Sequence, residues 1–133
     1  MTATLETGAT TTLDGAVTQE RTAASLGRPG DALPPVFGTP FMIADMERAC
    51  AALLAPLLGP GDVSVGVRIE VAHSAPTPEG AQVRASARFT GREGPLYWFD
   101  VWAEDQGGKI GEGRIARAVV PEAKILARAG ARL

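Results

Sequence analysis

The sequence predicts an α+β fold in which an antiparallel sheet wraps around one long central helix. Three observations predict it. The stretch "VFGTPFMIADMERACAALLAPLL" (36–58) is apolar nearly all round, with its only charges at Asp45, Glu47 and Arg48, so the chain must enclose it on most sides. After it come four alternating or aromatic-rich runs of about ten residues, parted by Gly- and Pro-bearing turns. The length, 133 residues, is that of one domain spanning 1–133, large enough to bury roughly two-thirds of its unfolded surface.

Taken in order, "MTATLETGATT" (1–11) reads as a flexible leader rich in Thr, Gly and Ala. "GAVTQERTAASLG" (15–27) alternates weakly and is the candidate first strand, and "RPGDALPP" (28–35) continues neither a helix nor a strand ladder. Thr39 is a good N-cap with Pro40 at the first helical position. The helix body then runs from Phe41 to about Leu58, loosened near its end by Pro56 and stopped by "GPGD". "VSVGVRIEVAHSA" (63–75) puts Val65, Val67, Ile69 and Val71 on one face, and "AQVRASARFTG" (81–91), "PLYWFDVWAED" (95–105) and "GKIGEGRIARAVV" (108–120) follow. Short turns between successive runs imply antiparallel pairing of neighbours. The tail 121–133 reads as a short helix or as nothing stable. One sheet with one enclosed helix is the hotdog arrangement. Its exposed strand edge points to a homodimer, with higher assembly open.

Composition narrows the function. A net charge of −2 gives no electrostatic case for nucleic acid or an anionic membrane, and no apolar run reaches the ~18 residues of a membrane span. No basic start with an apolar h-region opens the chain, which is expected in the cytoplasm. One cysteine excludes an internal disulfide, and with one histidine the chain is poorly supplied for a metal site, so none is predicted.

The charged turn of the helix raises the chemical question. At about 100° per residue, Ile43, Met46, Cys50, Leu53 and Leu57 form one stripe. Asp45 and Arg48 project away from it into solvent, but Glu47 lies beside it. A carboxylate there must be desolvated or face a cleft, and needs a hydrogen-bonding partner. His73 ends the strand "VRIEVAH", where a histidine is commonly a plain turn residue. Thr39 is readable as a simple cap and Cys50 as a small core residue.

Together, "VFGTPFMIADMERACAALLAPLL", "VGVRIEVAHSAPTPEG" and "RIARAVV" resemble the fluoroacetyl-CoA thioesterase group of hotdog-fold thioesterases, over roughly residues 12–125. The resemblance implies a catalytic set of Thr39, Glu47 and His73. It also implies an acyl-CoA site lined by Gly66, Arg117, Leu33 and Phe37. Arg117 is the first candidate to meet the CoA phosphates, and a salt-bridged strand arginine is the other reading of it. The implied reaction is hydrolysis of an acyl-CoA to free acid and CoA, with no cofactor apart from the CoA of the substrate. Helix-terminal amides would take the oxyanion, and Thr39 would attack or orient a water. The group's fluoroacetyl-CoA enzyme carries phenylalanines as a lid in the loop before the helix, where this chain has Gly30 and Leu33. Strict fluoroacetyl specificity is therefore not expected. A hotdog enoyl-thioester hydratase or dehydratase using His73 and Glu47 is the enzyme alternative, and a non-catalytic acyl-thioester binding protein is the other.

Overall fold

The computed structural model describes residues 4–133, so the first residues of the predicted leader lie outside it. Five strands form one antiparallel sheet: β1 (Thr10–Ala16), β2 (Asp62–His73), β3 (Gln82–Glu93), β4 (Leu96–Asp105) and β5 (Gly108–Pro121). Their order across the sheet is β1-β3-β4-β5-β2. The sheet packs on the helix α1 (Thr39–Leu54), and a short helix α2 (Glu122–Ala131) follows β5. The predicted architecture of an antiparallel sheet on one central helix is the one observed. Among the described residues no helix is long and apolar enough to cross a membrane.

Four local expectations change. The first strand is Thr10–Ala16, overlapping the supposed leader, while 19–26 forms two 3-10 turns. The Thr-rich run suits a pleated edge, and Leu5 and Leu13 pack on the core. In the turn region the Thr22 hydroxyl donates to Gln19 O (2.8 Å) and accepts from Ser25 N (3.3 Å), local bonds that compete with a strand ladder. Successive strands pair as expected in the β3–β4 and β4–β5 hairpins, but β2 pairs with β5 and not with β3. The connection between β2 and β3 is instead tied down by Thr77, which is fully buried and donates to Asp105 Oδ2 at 2.7 Å.

The third change is in α1. Its buried residues are Met42, Met46, Ala49, Cys50 and Leu54, packed against Val83, Ala85, Ala87 and Phe89 of β3 and Phe99 and Val101 of β4. Met46 and Cys50 are where the stripe put them, but Ile43, Leu53 and Leu57 are only half-buried. The sheet covers one side of α1, so the helix is not enclosed all round within one chain. Asp45, assigned to solvent from the sequence, is turned inward onto Arg21, with 15% of its side chain exposed, whereas Arg48 is 72% exposed.

The fourth is in β2. A β-bulge between Gly66 and Arg68 leaves Val67 out of the ladder: Val65 opposes Ala118 and Ile69 opposes Ile115. Four residues on β2 thus match three on β5, so Val65 and Ile69 face opposite sides of the sheet, against the predicted single apolar face. Beyond the bulge, Ile69, Val71 and His73 face α1. Val67 and Ile69 remain 54% and 45% exposed on this open edge.

Candidate active site

Two pairs of polar side chains lie between α1 and the β2–β5 half of the sheet. The first forms where β2 ends. His73 opposes Gly111 of β5, a residue whose missing Cβ leaves room for Met42 of α1. A hydrogen bond of 2.8 Å joins His73 Nδ1 to Thr39 Oγ1. Nε2 of the same ring is shielded from solvent with no partner among the described residues, so the bond to Thr39 alone orients the imidazole.

Thr39 reaches His73 because it does not cap the helix. The capping residue is Gly38, in extended conformation, with Thr39 and Pro40 as the first two helical residues and no side-chain cap bond. A Cβ on Gly38 would sit 2.9 Å from the Phe41 ring and 3.1 Å from Ala23 N, so only glycine fits comfortably. This moves the expected cap by one residue and releases the Thr39 hydroxyl for chemistry. It also narrows the expected oxyanion donors. Phe41 N and Met42 N both donate to Gly38 O, at 3.0 and 3.1 Å, and Pro40 has no N–H. The free amide of the first turn is that of Thr39 itself, at the positive end of the helix dipole.

The pair opens on a cleft of about 360 Å³ whose walls include Pro34, Val36, Phe37 and Ala75. Phe37 lies where the sequence put it, buried and lining the cleft, with its N–H donating to Thr77 O at 2.8 Å. Leu33 does not line it and is 43% exposed; Gly30, at φ +95°, belongs to the same outer loop. Pro34 and Val36 were not picked out from the sequence, where they read only as loop.

The second pair is Glu47 and Arg117. Arg117 of β5 is 8% exposed and is turned inward. Its Nη1 donates to Glu47 Oε1 at 3.3 Å, Nη2 donates to Ser64 O at 2.9 Å, and Nε approaches Ser64 Oγ at 3.4 Å. Each of its three nitrogens has a partner on Glu47 or Ser64, and the Nη1 bond holds the Glu47 carboxylate. Gly66 opposes Arg117 across the ladder, and a Cβ there would stand 2.4 Å from Glu47 Oε1. The glycine is the space that the carboxylate occupies. Ser64 gave no sequence signal beyond its place in an alternating strand. This pair borders a separate cleft of about 230 Å³ with Ala44, Arg48 and Ala51.

Thr39 is thus brought to His73, and Glu47 to Gly66 and Arg117. No hydrogen bond joins the two pairs within one chain. Eight residues of α1 separate Thr39 from Glu47, about 12 Å along the axis.

The chain as a whole has relatives in sequence and in fold. The family model described as fluoroacetyl-CoA-specific thioesterase matches residues 17–123. The chain belongs to this family. The fluoroacetyl-CoA thioesterase of Streptantibioticus cattleyicolor is 42% identical over 87 residues, an alignment spanning 65% of this chain and 63% of that relative. A solved structure of the fluoroacetyl-CoA thioesterase FlK is 34% identical, with a TM-score of 0.92 over 98% of this chain and 99% of that one. A Thermus thermophilus thioesterase superfamily member is 30% identical, with a TM-score of 0.83 over 97% of this chain and 96% of that one. The hotdog arrangement expected from the strand and helix order is therefore the fold of this thioesterase family.

A nucleophilic thiol has no part in this family member's site. Cys50 is fully buried on α1, and burial pushes its thiol up to about 12; nearby Glu47 adds to the shift and Arg117 opposes it. At neutral pH the sulfur is therefore protonated as well as sheltered. A disulfide reagent added to the native protein at pH 8 should leave Cys50 unmodified over minutes, and denaturant should release full reaction with one thiol per chain. Rapid stoichiometric labelling of the folded protein would contradict this burial.

Proposed function

We propose that the protein hydrolyses an acyl-CoA thioester to free acid and CoA, in the cytoplasm where such thioesters are made. The observation that carries this reading is the Thr39 hydroxyl on His73 at 2.8 Å, beside the one free amide of the helix N-terminus and facing a cleft. Nδ1 of His73 accepts the hydroxyl proton as Thr39 attacks the carbonyl, and a water then cleaves the acyl-threonine to free acid; in the direct route Thr39 orders the attacking water and passes its proton on to Nδ1. The Thr39 N–H and the helix dipole oppose the charge that develops on the carbonyl oxygen, and the imidazolium returns the proton to the departing thiolate. Structures of the relative FlK with acetyl-CoA, and with fluoroacetate and CoA, support acyl-CoA as the ligand class.

Glu47 is the general base or second nucleophile of this reading, held in one rotamer by Arg117. About 12 Å of helix parts it from Thr39 in one chain, so the three groups meet on one thioester when a second copy brings its own cleft alongside. The open β2 edge, with Val67 and Ile69 bare, is the surface for that copy. The reading includes weak selectivity for fluoroacetyl groups, because the two loop positions without phenylalanine, Gly30 and Leu33, stand outside the cleft.

Three outcomes are expected. Free thiol appears when the protein is given short, branched or aromatic acyl-CoAs, and Glu47→Gln lowers the rate roughly a hundredfold or more; unchanged turnover would remove Glu47 from the mechanism. Light scattering at micromolar concentration gives a dimer or larger, and an active monomer of 13.8 kDa would contradict that assembly. The catalytic efficiencies for fluoroacetyl-CoA and acetyl-CoA differ by less than about two hundredfold, the range open to an apolar pocket without special gating. A preference of many thousandfold would contradict the reading of the loop.

A further inference from the structure

Asp45 is the one mostly buried charge on α1 that the reaction does not use. Its partner Arg21 comes from the 3-10 turn after β1. Arg21 makes four separate connections. Its guanidinium pairs with Asp45, donates from Nη1 to Ala16 O at 2.8 Å, and lies 5.1 Å from the centroid of the Phe37 ring. Its own carbonyl accepts the N–H of the helix cap Gly38 at 3.0 Å. One residue thus ties together the end of β1, the cleft-lining Phe37, the cap before Thr39 and the second turn of the helix.

A mostly buried ion pair is seldom the cheapest way to hold two elements together, since apolar residues of similar volume often stabilise as well or better. What the pair adds is geometry. The planar guanidinium has fixed donor directions and is satisfied only when Asp45, Ala16 O and the Phe37 face are all in place. Those anchors leave the first turn of α1 little freedom to rotate or slide. The position of Thr39 Oγ1 relative to His73 depends on that turn, because β2 fixes His73 independently from the other side.

We infer that Arg21 and Asp45 are positioning residues that set the Thr39–His73 hydrogen bond by locking the first turns of α1. For its rate readout this rests on the thioesterase reading, but a second readout stands without turnover. His73 is the only histidine, so its imidazole 15N resonances report the Thr39 bond with no assignment problem. Arg21→Met keeps the length and apolar contact of the stem and removes the fork. Asp45→Asn keeps the shape and removes the charge. Arg84→Met, at a well-exposed pair with Asp14 on the far face of the sheet, is the control.

In folded Arg21→Met the imidazole 15N shifts should move, and kcat should fall by about tenfold or more with KM changed less than threefold, as for a displaced reacting group. Asp45→Asn should act in the same direction. The double variant should be no worse than Arg21→Met alone, since both remove one interaction. Arg84→Met should match the wild type throughout. Wild-type 15N shifts and kcat in folded Arg21→Met would overturn the inference, and if that variant does not fold, wild-type 15N shifts in Asp45→Asn would do so. A wild-type protein that releases no thiol from any acyl-CoA would sink the thioesterase reading instead, and the imidazole comparison would still decide this one.

Discussion

The bulge at Val67 is the constraint on which the site depends. Gly66 and His73 are seven residues apart on β2, an odd separation that in a regular strand sends them to opposite faces of the sheet. The extra residue reverses the alternation between them. Gly66 therefore faces Glu47, and His73 faces Thr39, both on the side of α1. Without the bulge only one of the two polar pairs could form against the helix. The disruption falls on an edge strand, where one unpaired residue costs little because no further strand is hydrogen-bonded outside it.

Each pair then relies on something absent. Glu47 has room for its carboxylate because Gly66 has no Cβ, and it is held there because Arg117 is almost fully buried with no solvent to turn to. Removing the carboxylate altogether would leave a buried guanidinium short of its counter-charge, a loss of up to about 3–5 kcal/mol; glutamine retains an acceptor and avoids much of it. Thr39 is free for His73 because Gly38 does the capping. Its backbone amide has no carbonyl a turn before it, and it is the one left free in the first turn because Pro40 has no N–H and Gly38 O takes the next two. The apolar cleft wall is fixed in turn by backbone bonds from Phe37 to Thr77 and from Ala23 to Val36.

Much of this was legible in the sequence, and the division follows the range of the interactions. The helix, its loosening at Pro56, the four later strand runs and the turns of the β3–β4 and β4–β5 hairpins are local patterns, and all are found. Glu47 and His73 stood out because a charge on an apolar helix and a lone histidine at a strand end are locally anomalous, whereas Thr39 read as a plain cap and joined them only through the family resemblance. What was missed is non-local or hidden by a good local pattern. Asp45 looked like a solvent charge because Arg21 is 24 residues away, and the partner of Arg117 could not be named because Glu47 is 70 residues away. The alternation of "VSVGVRIEV" is unbroken, so nothing in it announces the bulge. The Thr-rich start of the chain reads as a leader until its pairing with β3 is seen. The cap moved by one residue because glycine at 38 satisfies a tertiary contact that no capping preference weighs.

The central claim is that the bulged strand, by presenting a residue without a side chain, holds Glu47 in a working position on Arg117. Gly66→Ala tests it most directly, since it adds one methyl group where the Glu47 carboxylate now lies, 2.4 Å from Oε1. Gly66 has no positive φ, so alanine brings no backbone strain. The account predicts a folded protein by circular dichroism, in the same assembly as the wild type, whose thioesterase turnover drops about a hundredfold, comparable to loss of the base itself. A folded Gly66→Ala protein with wild-type kcat/KM would contradict it, because the carboxylate would then work from a place that this geometry does not provide.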